Sequence, residues 1–99
     1  MPNLTFSAKL VLKPERVDEF LALITDAATK TLADSEGCKR YDVGKSLTEP
    51  NVFYLYEVYT SRAHFDVHVK GESFAAWKAF TETDPFVEPA RIDAWSHLE

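Results

Sequence analysis

One cysteine, Cys38, stands in a chain of 99 residues. A lone cysteine excludes an internal disulfide and a cysteine-built zinc site. It fits a reducing compartment, so the sequence predicts a cytoplasmic protein. The three glycines are scattered, and neither a GxGxxG turn nor a P-loop is present to cradle a nucleotide. A GxSxG nucleophile elbow is missing too. No apolar run approaches the ~20 residues that a membrane span needs. The start lacks the basic and apolar blocks of a secretory leader, so none is expected. Positive charge is in deficit: 11 Lys and Arg against 16 Asp and Glu leave a net charge of −5. Neutralising phosphates takes clustered Lys and Arg, so neither nucleic acid nor an anionic membrane surface is an expected partner. Repeats, low-complexity tracts and linkers are absent, which predicts a single domain over residues 1–99.

What the chain does have is aromatic surplus, 13% of its residues, and clear periodicity. Leu4, Phe6, Ala8, Leu10 and Leu12 alternate with other residues, which predicts a strand over 4–12. Lys13-Pro14-Glu15 stops it. Val17, Phe20, Leu21, Ile24, Ala27, Ala28 and Leu32 then recur at helical spacing, so a helix is expected from Glu15 to Asp34. Pro14 suits its first turn, and Gly37 is placed for a left-handed cap at its end. Cys38 to Leu47 reads as a mostly polar edge strand. After the turn Thr48-Glu49-Pro50-Asn51, the strand Val52 to Tyr59 is apolar on both faces, with Phe53, Leu55, Glu57 and Tyr59 on one side and Val52, Tyr54, Tyr56 and Val58 on the other. Such a strand is covered twice, by helices on one face and most simply by a second subunit on the other. This predicts a homodimer. Thr60-Ser61 caps a helix from Ser61 to Val69, Gly71 breaks it, and a second helix runs to Thr83. Asp84 to Glu88 and Pro89 form a loop, and Arg91 to Ser96 is a last strand. His97-Leu98-Glu99 is given no structural weight. The resulting order is α+β, a ferredoxin-like βαββαβ arrangement with an antiparallel four-stranded sheet.

Chemistry concentrates between Asn51 and Trp77, NVFYLYEVYTSRAHFDVHVKGESFAAW. His64 and His68 lie one helical turn apart, which is a metal-ligand spacing. Yet no third ligand is local, so no metal is predicted and His68 is the better functional candidate. Its place near a helix C-terminus favours protonation. Glu57 is a carboxylate within an aromatic strand. It needs a partner, a proton or a cavity, and Lys9, Lys45 and Arg91 are the cations that could pair with it across the sheet. The aromatics Phe53, Tyr54, Tyr56, Tyr59, Phe65, Phe74, Trp77, Phe80 and Trp95 are mostly core and interface, and a subset could line a pocket for a flat aromatic substrate. Cys38 reads as a small buried hydrophobe.

These residues resemble the antibiotic biosynthesis monooxygenase family, of the dimeric α/β-barrel group. The strand FYLYEVY (53–59), the capped helix SRAHFDVH (61–68), Ser73-Phe74, the helix start KPERVDEF (13–20) and Glu36-Gly37-Cys38 carry the likeness. It implies one monooxygenase-like domain, dimeric, with a cavity between sheet and helices. It also implies oxygenation of a small phenolic, quinol or polyketide-like substrate by O₂, with no cofactor. On this resemblance His68 and Glu57 are the candidate catalytic residues, and Tyr54, Tyr56, Phe74 and Trp77 are candidates for substrate binding. Which face of the strand meets the cavity stays open. The haem-degrading branch differs, because Ala8, His68 and Lys78 stand where it has Asn, Trp and His. Isomerases of the phosphorylated autoinducer-2 signal are similar in the FYLYEVY strand. That alternative needs a basic pocket, for which Lys9 or Arg40 are the candidates. A non-catalytic dimeric module for small ligands is the third possibility.

Overall fold

The computed structural model describes residues 2–34 and 36–98. Strand β1 (Leu4–Val11) leads through a 3-10 turn at Pro14–Arg16 into helix α1 (Val17–Leu32). Strands β2 (Cys38–Lys45) and β3 (Val52–Tyr59) follow, then helices α2 (Arg62–His68) and α3 (Glu72–Thr81), and finally β4 (Arg91–Ser96). The four strands form one antiparallel sheet in the order β2-β3-β1-β4. This is the expected ferredoxin-like α+β fold, with the two most apolar strands central and the polar ones at the edges.

The long helix starts later than its apolar spacing suggests. Proline lacks an N–H and fixes its own φ, so the first turn from Pro14 is of the tighter 3-10 type before α1 begins. The helix end is a second departure. Gly37 does not adopt a positive φ. It is needed for space instead: a Cβ there would collide with the Asp34 carboxyl and crowd His64. Asp34 uses that closeness, accepting the Gly37 N–H at its side chain (3.2 Å) and the Cys38 N–H at its carbonyl (2.9 Å). Ser35, which the sequence places with Glu36 and Gly37 at the helix end, lies outside the described residues.

All helices lie over one sheet face. α1 packs on β2 and α3, presenting Phe20, Ile24 and Ala27 at intervals of three and four to the core. Phe20 is fully buried, with ring centroids 5.1 Å from Phe53 on β3 and 6.0 Å from Trp77 on α3. Burying one such side chain contributes about 1.5–3 kcal/mol. The other sheet face carries Thr5, Val58, Tyr54 and Trp95; Thr5 and Val58 are buried, whereas Tyr54 and Trp95 each keep 45% of their surface exposed. The chain end contributes after all: the His97 N–H donates to Asn3 O at 2.9 Å and its ring contacts the Thr5 hydroxyl. Glu99 lies outside the described residues. Among the described residues no helix is long and apolar enough to cross a membrane.

Candidate active site

The inward face of β3 decides the site. Side chains alternate along a strand, so Phe53, Leu55, Glu57 and Tyr59 all turn toward the helices. Across the ladder, Glu57 pairs with Phe6 on β1 and Tyr41 on β2. Small Ala8 sits beside Leu55, and the room it leaves opens a cavity of about 420 Å³ under α2 and α3. The sheet supplies Phe6, Ala8, Tyr41, Leu55 and Glu57 to its wall, α2 supplies Phe65 and His68, and α3 supplies Ser73, Phe74, Trp77 and Thr81. Phe86, Ala90 and Ile92 add to it from the last loop and β4, and Ala27 from α1. Among the described residues no Lys or Arg lines it.

Two titratable groups are thereby brought to one apolar space. The Glu57 carboxyl accepts a hydrogen bond from the Tyr59 hydroxyl at 2.6 Å. Burial raises its pKa, and the Tyr59 bond works in the other direction. The expected cation partners are not there; in place of Lys9, Lys45 or Arg91 the partner is a neutral hydroxyl. A second neighbour, Tyr41, has its own hydroxyl pKa pushed up by burial and then by the Glu57 charge.

His68 ends α2 among rings. Tyr59 is 5.1 Å away, Phe74 meets it edge-on at 5.7 Å, and Phe65 lies at 6.1 Å. Burial lowers its pKa. This corrects the expectation that the helix C-terminus would favour the imidazolium: the helix has only seven residues, and loss of hydration outweighs so short a dipole. His68 also borders a second, more polar depression of about 280 Å³, shared with Lys30, Asp34, His64 and Glu72.

His64, one turn earlier, has a different task. Ser61 caps α2 by accepting the His64 N–H (3.3 Å), and the His64 Nδ1 lies 2.9 Å from the Ser61 hydroxyl and 2.8 Å from that of Thr60. It does not line the cavity. Among the described residues no group of three or more His, Cys, Asp or Glu is placed to hold a metal ion. Cys38 is buried, its thiol pKa pushed up to about 11 chiefly by desolvation, so it stays a thiol.

Of the candidate substrate-binding residues, Phe74 and Trp77 line the cavity with Glu57 and His68. Tyr54 and Tyr56 do not. They belong to the outward face of β3, where they border a separate hollow with Lys9, Arg91 and Asp93. The reason is the two-residue period of the strand: a residue next to Glu57 points away from it. Lys9 and Arg40, the candidate phosphate ligands, also miss the cavity; Arg40 pairs with Asp42 at 2.6 Å and lies over the Tyr56 ring. Phe65, one of the aromatics expected to supply a pocket, lines the cavity too, whereas Phe6, Tyr41 and Phe86 are lining residues that sequence reasoning did not single out. Only the pairing of Phe6 and Tyr41 with Glu57 marks them, and register is invisible in a sequence without knowing the sheet.

A four-stranded antiparallel sheet with an apolar, acid–base-bearing cavity beneath its helices defines a ferredoxin-like α+β protein. The profile of the antibiotic biosynthesis monooxygenases matches residues 4–80, and the chain belongs to that family. A protein of Caulobacter crescentus CB15 assigned as an antibiotic biosynthesis monooxygenase is 26% identical, with a TM-score of 0.85 over 99% of this chain and 92% of that one. A conserved protein of Methanosarcina mazei Go1 is also 26% identical, with a TM-score of 0.80 over 96% of this chain and 92% of that one. An uncharacterized protein of Synechocystis sp. is 28% identical over 95 residues; these are 94% of this chain, which spans 62% of that protein's length.

Proposed function

We propose that the chain is an oxidoreductase, a cofactor-independent monooxygenase of a small phenolic, quinol or polyketide-like substrate, acting as a cytoplasmic homodimer. The observation that carries this is the meeting of Glu57 and His68 at one apolar cavity of about 420 Å³, a size in the usual range for small-ligand pockets. Family membership supports the reaction class.

The chemistry asks little of a protein. An electron-rich substrate that has lost a proton can reduce O₂ itself, so the site supplies a base, an apolar pocket and polar groups near the developing anion. With an anthrone, the methylene carbon becomes a carbonyl, and its two hydrogens leave with the second oxygen atom as water. His68 takes the substrate proton. Burial keeps its imidazole neutral and able to accept. The Glu57 carboxyl lines the same poorly hydrated space and is the second group there that can exchange a proton with the substrate. Phe74 and Trp77 hold the flat ring system. A phosphorylated substrate would want a cation, and no Lys or Arg among the described residues lines the cavity.

Oxygen uptake with the anthrone dithranol and with reduced menadione, between about pH 5 and 9, tests the proposal. The wild type should consume both oxygen and substrate faster than they are lost without enzyme, and His68→Ala should lower kcat by about 10²–10⁴-fold. No acceleration over the enzyme-free rate under any of these conditions, with saturable thermal shifts only, would show a binding module instead. Turnover of a phosphorylated sugar-like ligand that persists without oxygen would show an isomerase.

A further inference from the structure

Tyr59 closes β3 and is 1% exposed. It lies two residues from Glu57, so both project from the same face of the strand, about 7 Å apart along it. The long phenol reaches back across this gap, and its hydroxyl donates to Glu57 Oε1 at 2.6 Å. The ring of the same side chain lies 5.1 Å from the His68 imidazole, tilted by 37°. Edge contacts with Phe6 (6.2 Å) and Phe65 (5.3 Å) keep that ring in place.

We propose that Tyr59 is the positioning residue of this site: its hydroxyl holds the Glu57 carboxyl and its ring sets the face of His68, so one buried side chain ties the acid–base pair together. This rests on Glu57 and His68 working on substrate as proposed above.

The surroundings leave Tyr59 a controlling part. From β2, Tyr41 stands opposite Glu57 and Cys38 opposite Tyr59. Burial raises the pKa of both, the Cys38 thiol to about 11, so neither carries charge near neutral pH. From β1 comes Phe6, from α2 Phe65 and His68, and from α3 Phe74 and Trp77. No cation among them offsets the loss of hydration at Glu57. The Tyr59 hydrogen bond is the interaction that opposes it. Removing that hydroxyl leaves desolvation unopposed, and the carboxyl then keeps its proton to higher pH.

Tyr59→Phe keeps the ring and removes only the donor. Carbon-13 NMR of the Glu side-chain carboxyls, with the Glu57 signal assigned by Glu57→Gln, reads the titration without any substrate. The Glu57 midpoint should rise by about one pH unit in Tyr59→Phe, while the His68 midpoint, read from its ring signals, stays in place. In Tyr59→Leu, which also removes the ring, the His68 midpoint should rise toward that of an ordinary histidine. If the Leu variant does not fold, Tyr59→Phe decides alone. With dithranol, the acid limb of kcat/KM should follow Glu57 upward in Tyr59→Phe, with KM unchanged. A Glu57 midpoint that does not move overturns the proposal. If the midpoint moves but the wild type accelerates the oxidation of neither dithranol nor reduced menadione over the enzyme-free rate, the tie stands and the oxygenase assignment is what fails.

Discussion

Glu57 and His68 respond to the same burial in opposite senses. Loss of hydration penalises the charged form of each, which raises the carboxyl pKa and lowers the imidazole pKa. Their proton affinities are drawn together, as proton transfer near neutral pH requires. Stability follows with opposite signs. The His68 pKa is lower folded than unfolded, so the unfolded chain binds the proton more readily. Its contribution is complete above the ordinary 6.5 and is lost as pH falls through that value toward the folded one. The Glu57 pKa is higher folded than unfolded. Its contribution is complete below the ordinary 4.5 and is lost as pH rises through the folded value. Urea midpoints from about pH 4 to 8 should therefore show two changes. His68→Leu should weaken the loss of stability on acidification below pH 6.5, and Glu57→Gln should gain on the wild type as pH rises. Parallel curves for wild type and both variants would show that neither group is desolvated as described.

At the level of elements, α2 is the weak member on which the site depends. Seven residues are too few to hold a helix by propensity, so its end groups and packing must do so. The Ser61 hydroxyl accepts the His64 N–H, and the chain enters α2 from an extended residue, as an N-cap requires. Phe65 secures the middle by stacking on Phe6 of β1 at 4.2 Å. His68 then comes at the end of a helix held at two points. Ser61→Ala should cost about 1 kcal/mol in urea unfolding. It should also lower oxygen uptake by more than this loss of folded protein explains, because the base sits on the element that loosens. Full activity with reduced stability would mean that Phe65 alone positions α2.

For the whole molecule, the sheet has one face under helices and one without cover. Tyr54 and Trp95 each leave 45% of their surface on the uncovered face, beside buried Val58. The proposed dimer uses this face. Light scattering should give the mass of two chains for the wild type and of one for Tyr54→Glu. That substitution should spare the fold, since Lys9 lies opposite Tyr54 in the ladder and can pair with the new carboxylate. A monomeric wild type would end the dimer proposal, and the cavity would remain, because every wall residue named for it belongs to one chain.

Much of this architecture was legible in the amino-acid order. Alternation in 4–12 and 52–59 and the three-four spacing from Val17 to Leu32 depend on local geometry: a strand repeats every two residues and a helix every 3.6, and apolar residues must follow that period to be buried together. The central place of β1 and β3 followed from their apolarity, and His68 and Glu57 stood out as titratable groups among aromatics. Tertiary structure decided which face of β3 meets the helices, and with it that Phe74 and Trp77 share a cavity with Glu57 while Tyr54 and Tyr56 do not. It decided that Glu57 is partnered by Tyr59 and not by a lysine or arginine, that burial overrides the helix end at His68, and that Gly37 is required for closeness to Asp34. Each of these depends on strand register and on contacts between residues far apart in the chain. A one-residue change of register reverses every side chain of a strand, and desolvation exists only once the surrounding groups have closed over a site.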